Sequence, residues 1–196
     1  MTLILASASP RRREILASLG VPFDIRVVET DETCDLQDPG ARVEAISSKK
    51  CKAVVDDMTD KGELTPDHDT LVLASDTLVV LDGVFLGKPK DAEDAYRMVE
   101  MLQGKTHIVA SGIALWYQGK IVTSHELTKV TFAPMTAEEI RRYVATGEPF
   151  GKAGAYAIQG HASRYITGIE GDYFNVVGLP TRRLYATLRD DLGIEI

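Results

Sequence analysis

The sequence is short of most features that would assign it to a class at once. Only two cysteines occur in 196 residues, Cys34 and Cys51, and they lack metal-site spacing. A lone pair of this kind reads as reduced thiols rather than a disulfide framework. No excess of positive charge is present. The net charge is −7, which argues against broad binding to duplex DNA or to an anionic membrane, so neither a nucleic acid nor a membrane partner is expected. No apolar run approaches the length of a membrane span. The opening Met1-Thr2-Leu3 carries no basic segment, and the apolar run after it is too short for a signal peptide. The expected location is therefore the cytoplasm. Repeats, linkers and low-complexity segments are also missing. What is present is ordinary for a globular protein, with 44% hydrophobic and 26% charged residues. A chain of this length can bury a sizeable core without staples.

The first twenty residues carry the most information. Leu3 to Ala6 read as a short buried strand. Ser7, Ala8 and Ser9 are small enough for a tight turn. Ser9 stands where an N-cap belongs, and Pro10 suits the first helical position. Ile15, Leu16 and Leu19 give one apolar helix face, and Gly20 ends the helix. Arg11, Arg12 and Arg13 occupy the first turn, where the helix dipole already makes cations unfavourable. Free N–H groups and guanidinium groups at a strand-to-helix turn form an anion site, and phosphate is its natural occupant. The plainer alternative is a solvated basic turn, with one arginine paired to Glu14.

Val21 to Val28 reads as a second strand, followed by an acidic stretch, Glu29 to Asp35, most of which reads as solvated loop. Asp38-Pro39 opens a helix along which Val43, Ile46, Cys51, Val54 and Val55 recur at roughly helical spacing. Lys49, Lys50 and Lys52 lie near its middle and alone suggest only a solvated face. Leu71 to Leu81 is nearly continuous in apolar residues, as in a strand covered on both faces. Ser75-Asp76-Thr77 interrupts it. A carboxylate among so much valine and leucine is costly unless paired, hydrogen-bonded or bound to a cation, which marks Asp76 as a functional candidate.

Asp82-Gly83 signals a hairpin returning through Val84 to Leu86. Lys88, between Gly87 and Pro89, suits a lysine reaching for phosphate. A helix over Asp91 to Leu102 precedes a long hairpin, His107 to Tyr117 and Lys120 to Phe132, turning at Gln118-Gly119. Thr136 to Glu139 is a capping box for a helix running to about residue 146. His107 and His125 lack ligand spacing and read as structural. The loop from Gly147 to Gly154 leads into a short apolar piece, Ala155 to Gly160. A strand over Ile166 to Glu170, a turn-rich connection to Pro180 and a helix over Thr181 to Leu192 complete the chain. Alternating elements with an antiparallel hairpin predict a mixed α/β sheet, in one domain or two closely packed lobes.

Five ordered motifs carry a resemblance. Ser7-Ala-Ser-Pro-Arg-Arg-Arg-Glu, Ser75-Asp-Thr, Gly87-Lys-Pro, Lys152-Ala-Gly-Ala-Tyr-Ala-Ile-Gln-Gly160 and Gly171-Asp-Tyr-Phe-Asn-Val-Val-Gly-Leu-Pro180 together resemble the Maf family of nucleoside triphosphate pyrophosphatases. The resemblance spans essentially the whole chain, residues 1–196, as a single domain. It implies a mixed, strongly twisted sheet flanked by helices, in two lobes with a cleft, like the inosine triphosphate pyrophosphatases. It also implies hydrolysis between the α and β phosphates, releasing a nucleoside monophosphate and pyrophosphate with a divalent cation, Mg²⁺ or Mn²⁺. By that resemblance Asp76 and Glu32 are the catalytic and metal-binding carboxylates. Lys50 and Lys88 match the phosphate-binding lysines. Arg11, Thr77 and Gln159 match the specificity positions of the pyrimidine-directed branch, so dTTP and UTP are the expected substrates. A homodimer is compatible with it. The family commonly has an aspartate before Lys152, where this chain has Gly151.

The residue chemistry is consistent with that expectation. A triphosphate brings about four negative charges and needs several cations, for which Arg11, Arg12, Lys50 and Lys88 are candidates. Mg²⁺ takes one or two carboxylates together with phosphate oxygens and water, and Glu32 and Asp76 can supply them. Either can also orient or deprotonate an attacking water. The rival readings are a nucleotide-binding regulator of cell division and septum formation without turnover, and a phosphatase releasing single phosphates. The latter lacks an acyl-phosphate aspartate motif.

Overall fold

The structure is a computed structural model describing residues 1–194. Seven strands form one mixed sheet: β1 (Thr2–Leu5), β2 (Asp24–Ile25), β3 (Thr70–Leu81), β4 (Val84–Leu86), β5 (Thr106–Tyr117), β6 (Lys120–Phe132) and β7 (Ile166–Glu170). Their order is β2-β1-β3-β5-β6-β7, with β4 paired to β3 off this path. β1 runs parallel to both β2 and β3, while β3–β4 and β6–β7 are antiparallel. The helices are α1 (Pro10–Ser18), α2 (Pro39–Asp60), α3 (Ala92–Leu102), α4 (Ala137–Ala145), α5 (Tyr173–Val177) and α6 (Thr181–Leu192).

The chain divides into two compact units, with the first boundary between Asp76 and Thr77. The first unit holds residues 1–76, 111–126 and the chain from Gly178 onward; the second holds 77–110 and 127–177. β3, β5 and β6 each contribute residues to both.

In the first unit, alternation along the strands sets one sheet face against α2. Ile4, Ala6, Val72, Ala74, Ala114 and Trp116 pack with Cys51, Val54 and Met58 of the helix. Burial pushes the Cys51 thiol up to about 12, so it is an inert core group rather than a nucleophile. Asp38 caps α2, its carboxylate accepting from the Ala41 N–H at 2.8 Å, with Pro39 following at the first position. The helix lies so close to β5 that a Cβ on Gly112 would meet the Val43 carbonyl group at 2.5 Å. The register of α2 along the sheet is thereby fixed.

In the second unit, α3 packs against α4 and against a short 3-10 turn, Ala153–Ala155, which also touches β4. α4 begins with the expected capping box: the Glu139 N–H donates to Thr136 Oγ1, and the Glu139 carboxylate accepts from the Thr136 N–H.

Three local expectations are corrected. The second strand shrinks to Asp24–Ile25, an exposed edge pair beside β1. Pro22 has no N–H for a ladder, and Arg26 turns its side chain to Asp57 and Glu63. The helix stripe Ile15, Leu16, Leu19 loses its last member: Leu19 is 45% exposed at the helix end. The connection from Gly171 to Pro180 contains a helix, α5, opened by Asp172, whose Oδ1 accepts from the Phe174 N–H at 2.7 Å. Ser9 does hold the N-cap of α1, but its side chain makes no capping bond. Its N–H donates instead to Ser7 Oγ at 3.3 Å.

Candidate active site

The first unit brings four of the expected residues together. Asp76 lies on β3 and is 7% exposed. Lys50 rises from the middle of α2 and places its Nζ 2.7 Å from Asp76 Oδ1 and 2.9 Å from Glu32 Oε1. Glu32 comes from the acidic loop and stays half exposed. That loop is held by its neighbours: Lys49 Nζ donates to the Thr33 carbonyl at 2.7 Å, and the Thr33 N–H donates to Asp31 Oδ1 at 2.9 Å. The lysine run on α2 thus divides by function. Lys49 secures the loop, Lys50 bridges two carboxylates, and Lys52 pairs with Asp56 in solvent.

Arg12 completes the group. Its Nε donates to the Gly178 carbonyl at 2.8 Å and its Nη1 to Ser7 Oγ at 3.1 Å. Ser75 Oγ, fully buried beside Asp76, donates to the same Gly178 carbonyl at 3.2 Å. Burial lowers the Arg12 pKa, while the negative charges of Asp76 and Glu32 oppose that shift. Arg11 is half-buried, with its pKa lowered by burial and supported by the charge of Glu14. Arg13 is exposed. Ser7, Ser75 and Gly178 lie within the sequence motifs, but sequence reasoning gave them no role in the site. They hold Arg12 in place, and only their arrangement in the fold reveals it.

Two cations and two carboxylates therefore meet beside the middle of β3. Among the described residues, no three His, Cys, Asp or Glu side chains converge into a metal-binding group. A cation here would draw at most on Asp76 and Glu32. Two hard carboxylate oxygens, with the rest of the coordination shell left to water and phosphate, suit Mg²⁺ or Mn²⁺. In this arrangement Lys50 holds one oxygen of each carboxylate.

Thr77, Lys88 and Gln159 belong to the second unit. Thr77 is half-buried on β3, directly after Asp76. Lys88 is exposed between exposed Gly87 and buried Pro89. The Gly87 carbonyl accepts from the Gly154 N–H at 3.0 Å, which ties the lysine's neighbour to the glycine-rich loop. Gln159 is exposed in a turn closed by the Gly160 N–H donating to the Ala157 carbonyl at 3.1 Å. Gly151 adopts a left-handed φ of +74° in open space. Lys152 closes the loop around it, its Nζ donating to the Glu148 carbonyl at 2.6 Å.

His107 is structural, as expected. Its Nε2 lies 2.8 Å from the Tyr156 hydroxyl, and its ring packs against Phe132 and Tyr156. Burial pushes its pKa down to about 4. His125 pairs with Glu44. Asn175, fully buried, donates to the Val109 carbonyl at 3.0 Å and to Thr128 Oγ1 at 2.8 Å, fixing α5 against β5 and β6.

Residues 2–191 match the family described as Maf-like protein. The chain belongs to the Maf family. It is 50% identical over 181 residues to a dTTP/UTP pyrophosphatase of Moorella thermoacetica, covering 91% of this Maf family chain and 89% of that protein. It is 47% identical to proteins of the same name from Chlorobaculum parvum, covering 95% and 92%, and from Pelotomaculum thermopropionicum, covering 95% of both. Among solved structures it is similar to the Staphylococcus aureus Ham1 protein, at a TM-score of 0.47 and 12% identity over 68% of this chain and 72% of that one.

Proposed function

We propose that this Maf family chain acts as a single catalytic domain that hydrolyses dTTP and UTP to the monophosphate and pyrophosphate. The observation that carries the reading is the Lys50 bridge between Asp76 and Glu32, beside Arg12, in a chain 50% identical to a relative named dTTP/UTP pyrophosphatase. A cytoplasmic nucleoside triphosphate is the substrate in this reading.

Arg11, Arg12 and Lys50 neutralise the phosphate chain, and Lys88 keeps the phosphate-binding role that the family resemblance gives it. Guanidinium groups can each take two phosphate oxygens, while the lysines act as point charges. When an anionic substrate arrives, Lys50 can exchange a carboxylate contact for a phosphate contact. Asp76 or Glu32 then becomes available to take a proton. That carboxylate accepts the proton of a water molecule whose oxygen bonds to phosphorus, the α–β phosphoanhydride bond breaks, and pyrophosphate leaves with the bond's electron pair. A divalent cation, when held by Asp76 and Glu32, supplies further neutralisation of the phosphate charge.

Base choice rests with Gln159, Arg11 and Thr77. Uracil and thymine present an acceptor, an N–H donor and an acceptor in order. The Gln159 amide can pair with the O4 and N3–H edge, and turned over it meets cytosine equally well, so Gln159 alone does not settle the choice. Arg11 can only donate, so a donor aimed at O4 would face the amino group of cytosine. A buried mismatch of that kind is strongly rejected. The regulator without turnover is not favoured, because the relatives carry the names of enzymes.

A panel of dTTP, UTP, CTP, GTP and ATP, assayed for phosphate with and without added inorganic pyrophosphatase, tests the reading. The expected result is a phosphate signal that depends on the added enzyme and is largest for dTTP and UTP. A signal independent of it indicates a phosphatase, and a preference for GTP contradicts the pyrimidine assignment.

A further inference from the structure

Immediately after α4, the chain places a carboxylate against the turn that carries Gln159. Glu148 follows Gly147, which leaves the helix end with a φ of +76°. Its side chain collects three hydrogen bonds. Oε2 accepts from the His161 N–H at 2.6 Å, and Oε1 accepts from the Ala162 N–H at 3.1 Å and from the Tyr143 hydroxyl at 3.0 Å. Burial, followed by the nearby Glu148 charge, raises the Tyr143 pKa, which keeps its hydroxyl a donor. These two N–H groups open the 3-10 turn His161–Tyr165, two residues beyond Gln159. The carboxylate also sits against Gly160 itself. A Cβ there would run into Glu148 Oε2, so any other residue at this position would push the carboxylate off its hydrogen bonds. On the other side, the Glu148 carbonyl accepts from Lys152 Nζ at 2.6 Å.

Glu148 is thus bonded to both ends of the segment that presents Gln159. It holds Lys152 before it and the His161 turn after it. The carboxylate's bonds are charge-assisted, two of the three come from backbone N–H donors, and the Gln159 side chain is itself exposed. We propose that Glu148 is a positioning residue for base recognition, fixing the turn that aims Gln159 at the pyrimidine edge. This rests on the reading of Gln159 given above. The device requires a carboxylate, not merely a polar group. In Glu148→Gln one of the two oxygens becomes an amino group. Whichever way the amide is turned, that amino group faces a backbone N–H, at His161 or at Ala162, and two donors oppose each other.

The test compares kcat and KM for dTTP, UTP, CTP and GTP in the parent enzyme, Glu148→Gln, Tyr143→Phe, Gln159→Ala and the double variant Glu148→Gln/Gln159→Ala. A merely structural role lowers the active fraction and slows every substrate alike. Positioning predicts that Glu148→Gln lowers the preference for dTTP over GTP by roughly tenfold, mainly through a raised KM for dTTP. Tyr143→Phe, which removes one of three donors, lowers it by roughly threefold. The double variant shows no loss of preference beyond that of Gln159→Ala, because both changes act through one side chain. If Gln159→Ala shifts the preference and Glu148→Gln does not, positioning is wrong and base reading stands. If Gln159→Ala leaves the preference unchanged, base reading fails and the proposal falls with it. A further loss in the double variant overturns the route through Gln159. Should Glu148→Gln fail to fold, an unchanged preference in Tyr143→Phe overturns the proposal by itself.

Discussion

Replacing Lys50 by methionine keeps a long, flexible side chain and removes one positive charge. In the parent, that ammonium lies 2.7 Å from Asp76 and 2.9 Å from Glu32. The side chains of Lys50 and Asp76 are only 17% and 10% exposed, so theirs is close to a buried ion pair. Removing one partner of such a pair costs about 3–5 kcal/mol, because the other charge is left uncompensated. Arg12 still bears on Asp76, which places the loss near the lower end. The Glu32 contact, half exposed, adds about 0–1 kcal/mol. Lys50→Met should therefore destabilise the fold by about 3 kcal/mol. At roughly 2–4 °C per kcal/mol for a chain of this size, Tm falls by about 6–12 °C. The same change made in Asp76→Asn should cost only about 1 kcal/mol, giving a coupling of about 2 kcal/mol. Urea unfolding of the four proteins at neutral pH, with Tm measured in parallel, reads both numbers. Equal losses from Lys50→Met in the two backgrounds would refute the bridge as the organising contact of the site.

Further outcomes follow from the same geometry. Asp76→Asn, in which size is kept and the proton acceptor lost, should lower kcat by about a hundredfold or more while the protein still folds; near-normal turnover places the centre elsewhere. Lys88→Ala should cost about 1.5–3 kcal/mol in kcat/KM for every triphosphate, as for a lost charge-assisted contact, and an unchanged kcat/KM removes its phosphate role. His107 should make folding acid-sensitive. Its pKa falls from 6.5 to about 4 on burial, so the unfolded chain binds the proton first. Its contribution, at most about 3 kcal/mol, is complete above pH 6.5 and is lost as pH falls toward 4. Urea midpoints for His107→Gln should vary less with pH across that window, and an unaltered profile assigns the acid sensitivity elsewhere.

Much of the frame is legible because local chemistry and tertiary packing agree. The Asp38-Pro39 start of α2, the capping box of α4 and the Asp82-Gly83 turn each form as their residue types dictate. Asp76 stands out for a similar reason, since a carboxylate inside an apolar strand demands a partner. Its partner is less legible. Lys50 sits among three lysines within four positions, and only the packing of α2 on the sheet selects which of them reaches Asp76. Glu32 is one carboxylate among several in its loop, set apart by the Lys49 bond to Thr33 and the Lys50 bond to itself. Glu148 gives no sequence signal of its own. Its partners lie five, thirteen and fourteen residues away, at spacings that match neither helix nor strand periodicity. Within the connection to Pro180, expected to be turn-rich, the Asp172 carboxylate accepts from the Phe174 N–H and starts α5.

The products formed from dTTP test the central claim most directly. Phosphorus NMR of a single reaction of the purified protein with dTTP and Mg²⁺, without any added enzyme, distinguishes the possible cleavages. The account predicts dTMP and pyrophosphate appearing in equal amounts as dTTP disappears, with no inorganic phosphate. Inorganic phosphate with dTDP, or dTTP that persists unchanged at stoichiometric enzyme, would contradict it.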